Sequence, residues 1–207
     1  MTVFMLTLFI VAITASAMSG ALAAGRRSMD LVGVLIVASV TALGGGTMRD
    51  VLLDHYPLYW VANPWVLGVT AGAAIFTILA ARFLHYLKTP YLALDAIGLV
   101  VVTIVGCDIA LEAGHGPAIA ILAGMITGCV GGVLRDVLCN QVPLLFSSEL
   151  YASVSVLTGG LYVGGLALGI DRDPAALIAV TAGLTLRLLA VRFRWGMPKF
   201  VYTRDWV

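Results

Sequence analysis

Charge is what this sequence of 207 residues has least of. Asp, Glu, Lys and Arg make up 11% of it, against 61% hydrophobic residues, and mean hydropathy is +1.04. A soluble domain carries about 25% charged and about 45–50% apolar residues. This chain lacks the polar surface to coat a globule in water, which excludes a soluble enzyme and a disordered chain. A net charge of +1 argues against a nucleic-acid binder. Cysteine is scarce and odd in number. Cys107, Cys129 and Cys139 lie in or beside apolar runs, so buried free thiols are expected rather than disulfides or metal ligands. His55, His85 and His115 fall in loops on different sides of the expected membrane, which argues against a shared metal site. No charge precedes Arg26, and the apolar stretch from Met1 to Ala24 exceeds the h-region of about 7–15 residues in a signal peptide. Despite Ala21-Leu22-Ala23, a retained first membrane helix is expected. No catalytic set, metal or cofactor is expected.

What is present is apolar length and glycine. Seven runs suit membrane helices of about 20 residues, at 3–24, 31–53, 64–84, 91–111, 117–139, 150–170 and 174–193. The expected fold class is an all-α polytopic membrane protein. Barrel strands, with about 10 residues of alternating polarity, do not fit. With seven spans the termini lie on opposite sides. Arg26, Arg27, Arg82, Lys88, Arg192, Arg194, Lys199 and Arg204 collect on one side and Arg172 on the other. The positive-inside rule then puts the N-terminus outside and the C-terminus in the cytoplasm, in the cell's inner membrane. The basic, aromatic tail (Arg194, Trp195, Lys199, Tyr202, Trp206) reads as an interfacial anchor.

The chain contains an internal repeat. Gly44-Gly45-Gly46-Thr47-Met48-Arg49-Asp50-Val51-Leu52-Leu53 matches Val130-Gly131-Gly132-Val133-Leu134-Arg135-Asp136-Val137-Leu138-Cys139 at an offset of 86 residues. The same offset pairs Gly20 with Gly106, Thr41 with Thr127, and Pro57-Leu58 with Pro143-Leu144. The single membrane domain, 1–207, thus divides into three-helix units at 1–90 and 91–172, with a seventh helix and tail at 173–207. Three is odd, so the second unit sits upside down relative to the first. Such inverted repeats point to a transport pathway at their interface.

Glycines inside a helix each cost about 1 kcal/mol against Ala, so Gly44, Gly45, Gly46, Gly131 and Gly132 are expected to kink spans 2 and 5. Arg49 follows Gly46 and Gly45 by three and four residues, on the same helix face, and Arg135 repeats the arrangement. A charge deep in a bilayer costs at least about 2.5–3.5 kcal/mol, so the doubled Arg-Asp calls for an explanation. One is a clamp across the pseudo-axis, Arg49 with Asp136 and Arg135 with Asp50, because neighbours diverge by about 100° on a helix. The other is a hydrated pathway flanked by these groups. The two are compatible, and depth is left open. Asp95 reads as an interfacial cap or ion pair near Lys88. Asp108 either attracts cations to a mouth or meets water. Ser19-Gly20 and Gly106-Cys107 read as close helix packing, with Ser19, Thr41, Thr47, Asp108 and Thr127 as candidate pore lining. Ser147-Ser148-Glu149 reads as the cap of span 6.

Seven spans, a duplicated three-helix unit and the pair GGGTMRDVLL and GGVLRDVLCNQVP resemble the prokaryotic TRIC (trimeric intracellular cation) channel family. That family is also described as glycine-transporter-like. Ser19-Gly20-Ala21-Leu22-Ala23-Ala24 and Glu149-Leu150-Tyr151-Ala152 look like further signatures, and the resemblance covers nearly the whole chain. One departure is that the second motif has two glycines where the first has three. The resemblance implies a homotrimer in the lipid bilayer with a pore in each protomer. Spans 1, 2, 4 and 5 would surround that pore, and monovalent cations, K⁺ above all, would pass it. A secondary transporter of a small zwitterion such as glycine is the alternative, and a non-transporting scaffold is a third reading. Arginines near a pore repel cations, so Asp50 and Asp136 must neutralise them, or carbonyls and hydroxyls must set the lining. No TVGYG filter is present, so weak discrimination between K⁺ and Na⁺ is expected.

Overall fold

The computed structural model describes residues 2–81, 88–147 and 150–196. Among them the chain is all helix: α1 (Val3–Gly25), α2 (Leu31–Leu52), α3 (Tyr59–Ala62), α4 (Trp65–Ala81), α5 (Lys88–Glu112), α6 (Pro117–Leu138), α7 (Leu144–Ser147), α8 (Ala152–Ala167) and α9 (Arg172–Phe193). Helices α1, α2, α6, α9 and the stretch Thr89–Glu112 of α5 are long and apolar enough to cross a membrane. Helices α4 and α8 are apolar and shorter. The chain is a multi-pass membrane protein. His85, Arg82, Ser148-Glu149 and the tail beyond Gly196 lie outside the described residues.

Local chemistry sets the helix ends. The Thr2 hydroxyl accepts from Met5 N at the start of α1, and Asp30 accepts from Gly33 N at 2.7 Å at the start of α2. Pro117 occupies the first turn of α6, where no amide is lost. Just past α2 and α6, Asp54 and Asn140 adopt φ of 52° and 50°. Asp and Asn tolerate this left-handed backbone better than most residues. The short helices α3 and α7, which hydropathy windows miss, follow Pro57 and Pro143.

Helix α5 is the centre: 72% of its apolar window is buried, against 33–39% in the other four long helices. It packs on α1, α6, α8 and α9. One apolar core joins α1, α2 and α4 around Ile13, Val37 and Val66. A second joins α5, α6, α8 and α9 around Ile104, Tyr162 and Ala176. Ile36, Phe76, Leu157 and Leu177 are exposed on the periphery, as suits side chains that face lipid. Small residues permit the close contacts inside. A Cβ on Gly20 would lie 2.6 Å from Thr41 Oγ1, and one on Gly106 would lie 2.5 Å from Thr127 Oγ1.

All three cysteines are free and buried. Burial also pushes the Cys139 thiol above its ordinary pKa, which lowers its thiolate fraction. The folded protein is therefore expected to resist a charged maleimide that labels it fully after denaturation. Mass spectrometry of both samples checks this.

Candidate functional site

The site is built where the duplicated motif brings α2 and α6 together. A Cβ added to Gly45 would lie 2.0 Å from Thr127 O, and one on Gly131 would lie 2.2 Å from Thr41 O. Position 41 thus faces 131 and position 45 faces 127, so the two helices cross antiparallel with backbones in contact. The glycine runs lie inside both helices without interrupting them. Both run continuously through them. Tight tertiary contact outweighs a cost of about 1 kcal/mol per glycine, and the missing side chains serve that contact. Thr41 and Thr127 flank it, and each donates its hydroxyl proton to its own helix, to Val37 O and Ala123 O at 2.6 Å.

The charged pairs lie in the last turn of each helix and are buried, with Arg49 3% and Arg135 0% exposed. The expected clamp across the axis is not formed. Arg49 donates from Nε and Nη2 to its own neighbour, Asp50 Oδ1, at 3.0 and 2.6 Å. Arg135 donates from Nε to Asp136 Oδ1 at 2.8 Å. The crossing explains the failure. Arg49 lies beyond it toward one end and Asp136 beyond it toward the other, roughly 20 Å apart along the axes at about 1.5 Å per residue. The 100° divergence of neighbours is overcome because the long arginine folds back. Each carboxylate then has a second task. Asp50 Oδ2 accepts from Tyr59 N at 3.2 Å, and Asp136 Oδ2 accepts from Leu144 N at 2.9 Å. Each aspartate thereby anchors the N-terminus of α3 or α7, where amides lack helical partners.

The two halves then diverge. Arg135 also donates from Nη1 to Asp95 Oδ1 at 2.5 Å and to Ser19 Oγ at 3.1 Å. Its guanidinium carbon lies 5.0 Å from the centre of the Tyr91 ring, and Arg26 sits 4.6 Å from the same ring. Tyr151 donates to Asp95 Oδ1 at 3.3 Å, and Arg187 of α9 stacks 4.7 Å from the Tyr151 ring. Asp95 is therefore a buried partner of the second arginine, not an interfacial cap. In the first half the position 86 residues earlier is Phe9, which packs edge-on against Tyr59. There Asp50 instead meets His55 Nδ1 at 3.3 Å.

Two cavities follow the crossing. One is lined by Gly46, Thr47, Arg49, Asp50, Tyr59 and Trp60, among others, with about 30 Å³ open to a water's centre. The other is lined by Ser16, Ser19, Thr41, Asp95, Arg135 and Tyr151, among others, with about 10 Å³. A single buried water needs about 10–15 Å³ on this measure. Both cavities touch Ala42, Val102 and Thr127, which separate them. The walls come from α1, α2, α5 and α6, with α3 added on the first side and Tyr151, just before α8, on the second.

Of the residues singled out from sequence, Ser19, Thr41, Thr47, Thr127, Arg49, Asp50, Gly46, Gly132 and Arg135 gather on these cavities. Gly45 and Gly131 hold the crossing, and Gly44 faces the Leu134 side chain. Asp136 braces Arg135 from behind. Asp108 is not with them. Its Oδ1 accepts from Tyr162 at 2.7 Å and its Oδ2 lies 3.6 Å from Arg172, which also binds Glu112. Arg187 and Tyr151 were missed as parts of the site. An arginine midway along the seventh apolar run, Arg187, was the available signal, because intramembrane charge is rarely idle.

Comparison with known proteins agrees with this geometry. The family model described as Glycine transporter matches residues 6–82 and 92–167. The UPF0126 inner membrane protein YadS of Escherichia coli is 38% identical over 89% of this chain and 90% of its own. The UPF0126 membrane protein YvgT of Bacillus subtilis is 34% identical over 96% and 97%. Among solved structures, the TRIC trimeric intracellular cation channel orthologue from Rhodobacter sphaeroides superimposes with a TM-score of 0.90 at 32% identity, covering 93% of this chain and 99% of that one. A prokaryotic TRIC channel in 0.5 M KCl gives 0.88 at 28% identity, covering 95% and 100%. On the match of its two halves, its near full-length relatives and its geometry, the chain belongs to the prokaryotic TRIC family, the membrane proteins also described as glycine transporters.

Proposed function

We propose that this protein is a monovalent cation channel, permeable to K⁺, with one pore in each protomer. The observation that carries this reading is the pair of cavities aligned on the α2–α6 crossing, each ending in a buried Arg-Asp group. The conformation described is closed at Ala42, Val102 and Thr127. Opening requires α2 and α6 to shift at their glycine contact. The seven longer helices then form two inverted three-helix units plus α9. That arrangement is supported by the 86-residue offset, at which α2 and α6 have matching bounds, and by their antiparallel crossing. The difficulty of pore arginines is met by charge. Asp50 balances Arg49, and Asp95 with Asp136 outweighs Arg135. The solved TRIC channels named above support cation conduction and a homotrimer. Gly160 and Gly164 leave an open small-residue face on α8 for a neighbouring protomer. YadS supports an inner-membrane location. The N-terminus is placed outside.

A planar bilayer holding purified protein under a KCl gradient tests this. Discrete openings that reverse near the K⁺ potential are the expected result. The oxygen lining lacks a rigid carbonyl ring, so the K⁺/Na⁺ permeability ratio should stay within about tenfold, a discrimination of about 1.4 kcal/mol. Bi-ionic reversal potentials measure it, and a ratio far above that overturns the lining described. A second reading has its own support. Two cavities on either side of a closed waist also suit alternating access by a glycine transporter. Electrical silence together with saturable glycine counterflow in liposomes selects it.

A further inference from the structure

We propose that Arg187, in the helix outside the 86-residue repeat, is a positioning residue for the second cavity: it holds the Tyr151 ring against Asp95 and so makes α9 part of the pore wall. The proposal rests on the channel reading for its purpose and on side-chain geometry for its chemistry. Helix α9 is otherwise peripheral. Its Leu177, Ile178 and Leu188 are exposed, whereas Arg187 is 0% exposed. An arginine turned inward from a membrane helix is costly and marks a task.

The task is legible in what the arginine touches. Its guanidinium carbon lies 4.7 Å from the centre of the Tyr151 ring, within the range of attraction between a cation and a ring face. Tyr151 lines the cavity with Asp95 and Gly132. Its hydroxyl donates to Asp95 Oδ1 at 3.3 Å, and a Cβ on Gly132 would lie 2.8 Å from the hydroxyl oxygen. The phenol thus reaches between α5 and α6, with room left by Gly132 and the guanidinium over its ring. At 3.3 Å the hydroxyl contact is long for an O–H donor, whose bonds centre near about 2.7–2.8 Å. The hydroxyl alone is a weak hold, and the cation on the ring supplies the rest.

The backbone is arranged for this reach. One turn before Arg187, a Cβ on Gly183 would lie 2.3 Å from Thr158 Oγ1 and 3.0 Å from Val100 Cγ1. Glycine there seats α9 close against α8 and α5, which brings the arginine to the ring. The first half has no counterpart. The residues 86 positions before Tyr151 and Asp95 are Trp65, which is 42% exposed, and Phe9. The seventh long helix therefore serves the half that carries Asp95. Released from Arg187, the ring is free to turn into the tighter of the two cavities, with about 10 Å³ against about 30 Å³, and to obstruct it.

Single-channel recording and crystal structures of the intact protein test this. Arg187→Met should lower unit K⁺ conductance by about twofold or more, the low end of what one net hydrogen bond is worth as a population shift. Arg187→Lys, which keeps a cation for the ring, should stay near the wild type. In a Tyr151→Leu background, with no ring to hold, Arg187→Met should change conductance no further. In the crystal, Arg187→Met should carry the Tyr151 hydroxyl out of hydrogen-bond reach of Asp95. Where Arg187→Met does not fold, Gly183→Ala replaces it in both experiments, because its methyl backs α9 away with the arginine intact. A hydroxyl that stays on Asp95 overturns the proposal. So does a Met variant that conducts better than the Lys variant, or an equal loss in the Tyr151→Leu background. If the wild type passes no current, the channel reading falls, and the crystal alone decides whether Arg187 holds the ring. If the wild type conducts and the hydroxyl stays, the proposal falls and the channel reading stands.

Discussion

Gly45→Ala and Gly131→Ala should each destabilise the protein more than any other glycine-to-alanine change in α2, α6 or α8. The added methyl would meet a backbone carbonyl at 2.0 or 2.2 Å, and no rotamer can move a carbonyl aside. The helices must separate. Overpacking of a tight interior costs about 1–3 kcal/mol, and backbone-on-backbone contact belongs at the upper end. Two controls isolate the cause. Gly160→Ala adds the same methyl with nothing within 4 Å, and Gly44→Ala meets only the movable end of Leu134. Both should be neutral or gain slightly from better helix propensity. Thermal unfolding in detergent compares the four. The same geometry predicts a functional sign. Where Gly45→Ala protein survives, the proposed channel, closed at this crossing, should show a raised open probability in bilayers. Equal melting temperatures for all four variants would refute the close crossing itself.

How far the sequence disclosed this site depends on the residue. The duplicated motif located the crossing, because Arg-Asp after glycines in an apolar run has few structural excuses. Helical periodicity placed Arg49 beside Gly46, and a Gly46 Cβ would indeed sit 3.8 Å from Arg49 Nη2. The pairing of charges was not legible. It depends on where two helices cross, and one residue of register moves a side chain by about 1.5 Å along the axis. The roles of Asp50 and Asp136 at α3 and α7 were hidden for another reason. A four-residue helix leaves no periodic trace. Of the two readings of Asp95, cap or ion pair, the ion pair forms, but its partners Arg135 and Tyr151 lie 40 and 56 residues away, which closeness to Lys88 in the chain could not disclose.

The asymmetry of the two halves carries the last prediction. Arg135→Gln should cost far more stability than Arg49→Gln, although the two arginines occupy equivalent places in the repeat. Removing Arg135 leaves Asp95 and Asp136 buried together without their shared cation. Breaking such a buried pair typically costs about 3–5 kcal/mol. Removing Arg49 leaves only Asp50, which still accepts from Tyr59 N and faces a His55 side chain that is 46% exposed. A single buried carboxylate that keeps two partners is a smaller burden than two carboxylates left without their shared cation, so the loss should be smaller. The double variant Asp95→Asn with Arg135→Gln separates charge from shape. It removes one negative and one positive charge from the same contact, so it should recover most of what Arg135→Gln loses. The coupling in that cycle should exceed about 1 kcal/mol. Denaturation of the four proteins of the cycle, and of Arg49→Gln, in one detergent gives all the terms. Equal losses for the two arginines, or additive losses in the double variant, would mean that Asp95 takes no share of Arg135's charge, and the second half would then be a copy of the first.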